Sequence, residues 1–467
     1  MNQSFTSSHE MSEKRNVFRV FQRNCSAQIE EMIKIYRKGY EFMNKNDEDG
    51  RKQAYKHFRE AAEGGLPIAM HATARCLKNG FGCHRNDEEA LSYYRKGMEK
   101  NNASCYVDIG DCYCFGGLGL PKDPIQAAEH YKIAAELDNT EAKLKLGLFY
   151  EFGRGVSKNP EESAKYIKSA ADDGDIEALY RLGQYHLEGF GVEENPGKAL
   201  ELFEKATEGG HPKAPFQLSV VLMTDSDSVS KGIEFLKLSA EREDPEGQFA
   251  LGCCYLNGLG VEEDTTKAFE LIQKSALQEF PEAIARLGIL YHEGHGVEQD
   301  TSKAIDYFLA ASTLGDASAN FNIGMLYFYG DGFKQDYQTA VKYLRLAADE
   351  GFPDALNQLG HCYRAGFGVD KDEEKAMKYF LFSSKKGFAE AHHSVGKCYE
   401  LGIGVEKDDK KAVRYFKMAA DEEDVNGLRD LAKCYEEGRG IEKNEEQAKQ
   451  LNYMADSIDG GIENEIQ

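Results

Sequence analysis

Asp175 to Gly210 reads DIEALYRLGQYHLEGFGVEENPGKALELFEKATEGG, and this stretch decides the fold. Ala178, Leu182 and Tyr185 recur at helical spacing, so one side of a first helix is apolar. Gly183 lies beside that side, where a missing side chain lets another helix approach closely. Gly189 ends the helix, since glycine takes the left-handed conformation after a helix without penalty. Gly191 and Val192 continue the turn, with the valine as an apolar plug. Asn195 then precedes Pro196 and the run Lys198-Ala199-Leu200-Glu201-Leu202-Phe203, a helix start signal. The second helix stops at Gly209-Gly210. Two helices of about 12 residues span about 18 Å each.

The same grammar returns along the chain. Gly-x-Gly occurs ten times, with first glycines Gly80, Gly117, Gly153, Gly189, Gly258, Gly294, Gly330, Gly366, Gly402 and Gly438, and from Gly258 every step is 36 residues. Leu287-Gly288, Tyr291, Gly294, Lys303-Ala304 and Tyr307-Phe308 match Leu359-Gly360, Tyr363, Gly366, Lys375-Ala376 and Tyr379-Phe380. Self-similarity at that period marks a solenoid, in which each unit buries its apolar face only by stacking on its neighbours.

The pattern resembles the Sel-1-like repeat family, the relatives of tetratricopeptide repeats, over about residues 69 to 456. The resemblance implies an all-α, right-handed superhelical solenoid of about eleven helix-turn-helix repeats with an N-terminal helical cap. It also implies a scaffold or adaptor role, often in signalling or protein quality control, with the first helices lining the concave surface. Tryptophan, frequent in the second helix of relatives, is missing, and Tyr307, Tyr343, Tyr379 and Tyr415 fill its place. The regular cysteine pairing of secreted bacterial relatives is missing too.

Of the eleven cysteines, Cys76, Cys112, Cys254, Cys362, Cys398 and Cys434 share one place ahead of the glycine turn, where other repeats hold Phe149, Tyr185, Leu290 and Leu326. That is the substitution pattern of a buried apolar slot. Equivalent positions in successive repeats lie about 8–10 Å apart, beyond the ~7 Å limit between disulfide-linked α-carbons. The formal charge of -23, from 80 acidic and 57 basic side chains, makes nucleic acid and anionic membrane poor partners. No apolar run approaches the ~18 residues of a membrane span, so a soluble, cytoplasmic chain without membrane insertion is expected.

The organisation expected is a polar, partly disordered segment at 1–29, a degenerate capping helix pair at 30–65 and a first repeat block at 66–210. A shortened repeat at 211–246 follows, then a second block at 247–456 and a polar tail at 457–467. The shortened unit has lost its Gly-x-Gly, and Met223-Thr224-Asp225-Ser226-Asp227-Ser228 replaces the loop. A local change of superhelical twist is expected there.

With the Leu-Gly glycine of each first helix as zero, the core falls at -5, -1, +2 and +3, and the opposite stripe at -3, +1 and +4. The opening unit offers His71, Arg75 and Lys78 on that stripe. The middle offers Leu144 and Leu148, Tyr180 and Leu187, Phe216 and Val220, Phe249 and Leu256, Ile289, then Phe321, Met325 and Phe328. The last units turn polar and basic, with Asn357, His361, Arg364, His393, Lys397, Arg429 and Lys433, interrupted by Glu400 and Glu436. Apolar residues on a side that should meet solvent point to a groove for a protein or peptide, here one with an apolar stretch and an acidic end. The competing reading is packing, because each first helix contacts two second helices and its buried arc is wide.

Catalytic and metal chemistry find little footing. The glycines follow helices rather than a strand, which argues against a phosphate loop. Three Ser-x-x-Lys matches, Ser228/Lys231, Ser383/Lys386 and Ser394/Lys397, lack the companion motifs of a serine acyl enzyme, and β-lactam binding or hydrolysis is kept only as a remote alternative. Asn46-Asp47-Glu48-Asp49-Gly50 places lysines where a calcium loop needs acids, and His292/His295 and His392/His393 lack zinc-helix spacing. The expectation is a non-catalytic adaptor without cofactor or metal. The alternative is a regulatory subunit of a membrane-associated enzyme complex, of ubiquitin ligase or cell-wall synthase type.

Overall fold

The computed structural model describes residues 28–45 and 47–465, with side chains to residue 459. Most of the 1–29 segment, Cys25 and the end of the expected tail therefore lie outside the described side chains. The chain divides into two compact units, Met1–Asp225 and Ser226–Gln467. Among the described residues there are 24 α-helices and no strand, only an isolated bridge between Gly117 and Leu120.

In the first unit, α1 (28–43) pairs with α2 (Glu48–Glu63). There follow α3 (Pro67–Asn79), α4 (Asp87–Glu99), α5 (Ala103–Phe115), α6 (Pro124–Glu136), α7 (Thr140–Phe152), α8 (Pro160–Asp172), α9 (Ile176–Glu188), α10 (Pro196–Glu208) and α11 (Ala214–Met223). The second unit opens with a 3-10 turn, Ser226–Ser228, and α12 (Val229–Glu241). It continues with α13 (Pro245–Asn257), α14 (Thr265–Leu277), α15 (Pro281–Glu293), α16 (Thr301–Thr313), α17 (Ala317–Tyr329) and α18 (Tyr337–Asp349). Its last helices are α19 (Pro353–Ala365), α20 (Glu373–Lys385), α21 (Ala389–Leu401), α22 (Asp409–Asp421), α23 (Val425–Glu437) and α24 (Glu445–Glu465). The segment set apart as a tail from 457 continues α24 as far as Glu465.

The 175–210 stretch folds for the reasons its residues give. Asp175 caps α9 by accepting from Ala178 N at 2.8 Å, and Asn195 caps α10 by accepting from Lys198 N at 2.9 Å, each satisfying an orphan donor of a first turn. Gly189 takes φ 67°, ψ 27° and closes α9. Ala178, Leu182, Tyr185, Ala199, Phe203 and Ala206 are buried together. A Cβ on Gly183 would sit 2.7 Å from the Phe203 ring, so this glycine permits the close pairing of α9 with α10. The phenyl recurs fully buried at Phe308, Phe380 and Phe416, each contributing about 1.5–3 kcal/mol by burial.

In most turns the second glycine sets the stacking register, although Gly260 and Gly332 face side chains and Gly119 has no close neighbour. At Gly191 a Cβ would lie 2.0 Å from the carbonyl oxygen of Pro160, the first residue of α8 in the preceding repeat. The turn therefore rests backbone against backbone. At α5 the closing glycine is Gly116, one residue before the Gly117 that the tripeptide picks out, and the extra residue places Leu118 at φ 54°. Described cysteines are unpaired, and Cys76, Cys105, Cys112, Cys254, Cys362, Cys398 and Cys434 are buried, as the apolar-slot reading requires.

Candidate partner-binding surface

Within each unit, successive first helices lie beside one another and carry the -3, +1, +4 stripe. In the second unit α19 contacts α21, and α21 contacts α23. The stripe is more closely packed than a solvent-facing side. Tyr180 is a correction to the groove expectation, because only 7% of it is exposed. Its ring stacks on His211 with centroids 4.1 Å apart and tilts against Phe203. Leu144 and Leu148 are half-buried against the core around Ile167 and Leu182. Leu187 and Phe216 are also half-buried, and Val220 is exposed.

In the second unit Phe249 packs on Phe280 at 5.5 Å and Phe321 on Phe352 at 5.5 Å. Each -3 side chain thus meets the residue that leads into the next first helix. Phe249, Leu256, Ile289, Phe321, Met325 and Phe328 are all half-buried: neither free surface nor sealed core. Phe328 meets Tyr337 and Phe367 edge-on at 5.1 and 5.6 Å. Beside it, between α15 and α17, opens a cavity of about 410 Å³ lined by Ile289, His292, Glu293, Met325, Tyr329 and Asp331 among others. Tyr329 and Asp331 belong to no stripe position, and Tyr329 is 68% exposed. A hydrophobic residue immediately before a closing glycine, also found at Phe115, Phe152 and Leu401, was the available sequence signal.

The basic residues are largely engaged. His393 Nε2 lies 2.8 Å from Asp430 Oδ2, and Lys397 Nζ lies 3.3 Å from the same carboxylate and 2.6 Å from Glu400. Arg439 completes the network on Glu400. Arg429 pairs with Asp456 and Asp459. Arg364 Nη2 donates to His361 Nδ1 at 3.1 Å, and burial together with that guanidinium lowers the His361 pKa to about 4. Asn357 is buried, and Lys433 is exposed. In the first unit His71 lies 2.6 Å from Asp108, which Lys78 approaches to 4.0 Å, while Arg75 is exposed. Of the basic group expected from the stripe, His393, Lys397 and Arg429 thus face carboxylates of an adjacent helix, while Arg364 contacts His361 and Lys433 is exposed.

Among the described residues no group of three or more His, Cys, Asp or Glu side chains is arranged to hold a metal. Ser383 donates to the Pro353 carbonyl, and Ser394 is buried while Lys397 faces carboxylates. None of the helices described is long and apolar enough to cross a membrane.

Comparison with known families matches the Sel1 repeat at residues 36–66, 67–102, 103–139, 140–175, 176–211, 245–280, 281–316, 317–352, 353–388, 389–424 and 425–451. The chain belongs to the Sel1 repeat family. Its eleven Sel1 repeats include the opening pair read as a cap, and they skip 212–244, where the glycine turn is lost. A Sel1 solenoid is a fold typical of protein-interaction scaffolds. A solved Sel1-like structure, the protective antigen c5321 of uropathogenic Escherichia coli, aligns with a TM-score of 0.63 at 24% identity over 86% of this chain and 90% of that one. A Sel1 repeat protein from Oxalobacter formigenes aligns with a TM-score of 0.45 at 27% identity, over 52% of this chain and 96% of that one. A curated relative, chitin synthase regulatory factor 2 of Schizosaccharomyces pombe, is 31% identical over 109 residues. That match spans 23% of this Sel1 chain and 21% of the relative's own length.

Proposed function

We propose that this chain is a non-catalytic adaptor that gathers partner proteins along the first-helix faces of its repeats. The reading rests on the half-buried apolar row of the second unit, Ile289, Phe321, Met325 and Phe328, beside an open cavity. Close-packed interiors leave few such openings, and an apolar surface beside one fits a partner's side chains. The other stripe residues, Leu144, Phe216, Phe249, His361, Arg364, His393, Lys397, Arg429 and Lys433, contribute as flanking contacts, and Tyr180 as a support beneath them. The use of cysteines as unpaired core side chains supports a reducing compartment such as the cytoplasm.

A second reading is a regulatory subunit of a membrane-associated synthase. It is favoured by the partial likeness to the chitin synthase regulatory factor. Affinity capture on the intact chain, beside Ile289→Lys and Met325→Lys, tests the adaptor reading. Specific partners should be lost from the variants while thermal melting is unchanged, and identical capture would remove the apolar row from consideration. Co-fractionation of the captured partner with membranes would favour the second reading over a soluble partner.

A further inference from the structure

The cavity between α15 and α17 has a charge that identifies its occupant. Ile289 and Met325 provide apolar walls. Glu293 and Asp331 stand at its margin with side chains 47% and 52% exposed, and none of the lining residues is lysine or arginine. His295 Nδ1 is 3.2 Å from Glu293, and His292 Nε2 is 3.6 Å from Asp331. Both helices end here, α15 at Glu293 and α17 at Tyr329. Helix C-termini carry partial negative charge that adds to the two carboxylates. The exposed Tyr329 ring offers a face to a cation. At about 410 Å³ the cavity falls within the range of ligand pockets, ~300–1,000 Å³.

We propose that this cavity docks a basic peptide segment of a partner protein. It seats one apolar side chain between Ile289 and Met325 and holds a neighbouring lysine or arginine against Glu293, Asp331 and Tyr329. The proposal rests on the adaptor reading and reverses the charge expected of the partner. An acidic segment would meet two carboxylates and two helix C-termini, whereas His393, Lys397 and Arg429 further along the stripe already face Asp430, Glu400, Asp456 and Asp459. The formal charge of -23 draws basic chains toward the protein generally, so the test must locate the effect.

Three fluorescein-labelled dodecapeptides serve as probes, alternating leucine with lysine, leucine with glutamate, and serine with lysine. Anisotropy is measured on the full chain at physiological salt. The leucine–lysine peptide should bind tightest, and the Glu293→Lys/Asp331→Lys pair should weaken it about tenfold or more. A control reversal at exposed Glu262 and Glu263, elsewhere on the same unit, should change it less than about twofold. Equal effects of the two reversals, or equal binding of the leucine–glutamate peptide, overturn the basic-peptide assignment. Ile289→Ser/Met325→Ser separates the layers. If it weakens binding while Glu293→Lys/Asp331→Lys does not, the apolar docking face stands and the basic partner falls. If neither matters while both variants melt like the parent, both fall.

Discussion

Asp430 on α23 receives His393 Nε2 from α21 at 2.8 Å, and Asp108 on α5 receives His71 Nε2 from α3 at 2.6 Å. In both cases the histidine occupies -3 of one repeat and the carboxylate -2 of the next. Burial pushes the Asp430 carboxyl up, but the His393 hydrogen bond and the Lys397 charge more than offset it and hold it below its ordinary value. Asp108 follows the same pattern with His71 and Lys78. A depressed carboxyl stabilises the fold above its unfolded pKa, and that contribution is lost as pH falls through the folded value.

Asp430→Asn should therefore cost about 1.5–3 kcal/mol at neutral pH, the scale of hydrogen bonds to charged groups. The difference from the parent should be constant above about pH 5 and shrink below about pH 4, where the parent carboxyl protonates. Urea unfolding across pH 3 to 7 measures both. A difference that grows on acidification would contradict the pairing.

The two glycines of one turn should respond differently to the same substitution. Gly402 and Gly404 sit at φ 70° and 65°, so alanine is strained at both, by about 1 kcal/mol. At Gly402 the nearest atom to a new Cβ, Lys407 Cβ, is 3.6 Å away. At Gly404 the Glu373 carbonyl oxygen would be 2.0 Å away, and a backbone carbonyl at a helix start cannot turn aside. Gly402→Ala should cost about 1 kcal/mol and Gly404→Ala about 1–3 kcal/mol more through the added clash, read from thermal melts. Equal costs would remove backbone contact as the reason for the second glycine.

These glycines mark how far the sequence carries. The repeat period, the Gly189 stop, the Asn195 helix start, the close approach at Gly183 and the cysteine slot are local or within-repeat features, and each is legible from spacing alone. The fate of the stripe is not, because it depends on residues outside the helix that carries it. Tyr180 is buried where His211 covers it, while Phe321 stays half-buried against Phe352. A helical wheel of the first helix alone contains neither partner. The pairing within the basic end is hidden for the same reason, since Asp430 lies 37 residues from His393. Scoring -2 as a partner row would have found it. Lys145 and Arg181 occupy that place and reach back to Asp111 and Glu151 of the preceding repeat.

The cysteines should separate into two classes toward a thiol reagent. Burial pushes the Cys362, Cys398 and Cys434 thiols up to about 11, so little thiolate is present at neutral pH. Cys83, Cys114 and Cys253 are only half-buried. Brief N-ethylmaleimide treatment of the native chain, followed by peptide mass mapping, should label these three first among the described cysteines. The buried set should label at comparable rates only in denaturant. Native labelling of Cys398 as fast as Cys114 would show that the slot opens readily.

The last prediction concerns the junction at 223–228. Regular first helices end on a left-handed glycine, but α11 has only 10 residues and ends at Thr224 with φ -73°. Its closing bonds, Thr224 N to Val221 O at 3.4 Å and Asp225 N to Leu222 O at 3.3 Å, are long beside the 2.9 Å of Ile403 N to Cys398 O in a regular turn. The junction also lacks the second glycine that seats other turns on the preceding helix, and the division between the two compact units falls within it. Long closing bonds mean a lower opening free energy. Amides of 224–226 should exchange about tenfold or more faster than those of the Gly402–Gly404 turn, a difference of about 1.4 kcal/mol. Deuterium uptake over 220–230 and 398–408 measures it directly. Equal protection would mean that the missing glycines leave the junction as firmly seated as a complete repeat.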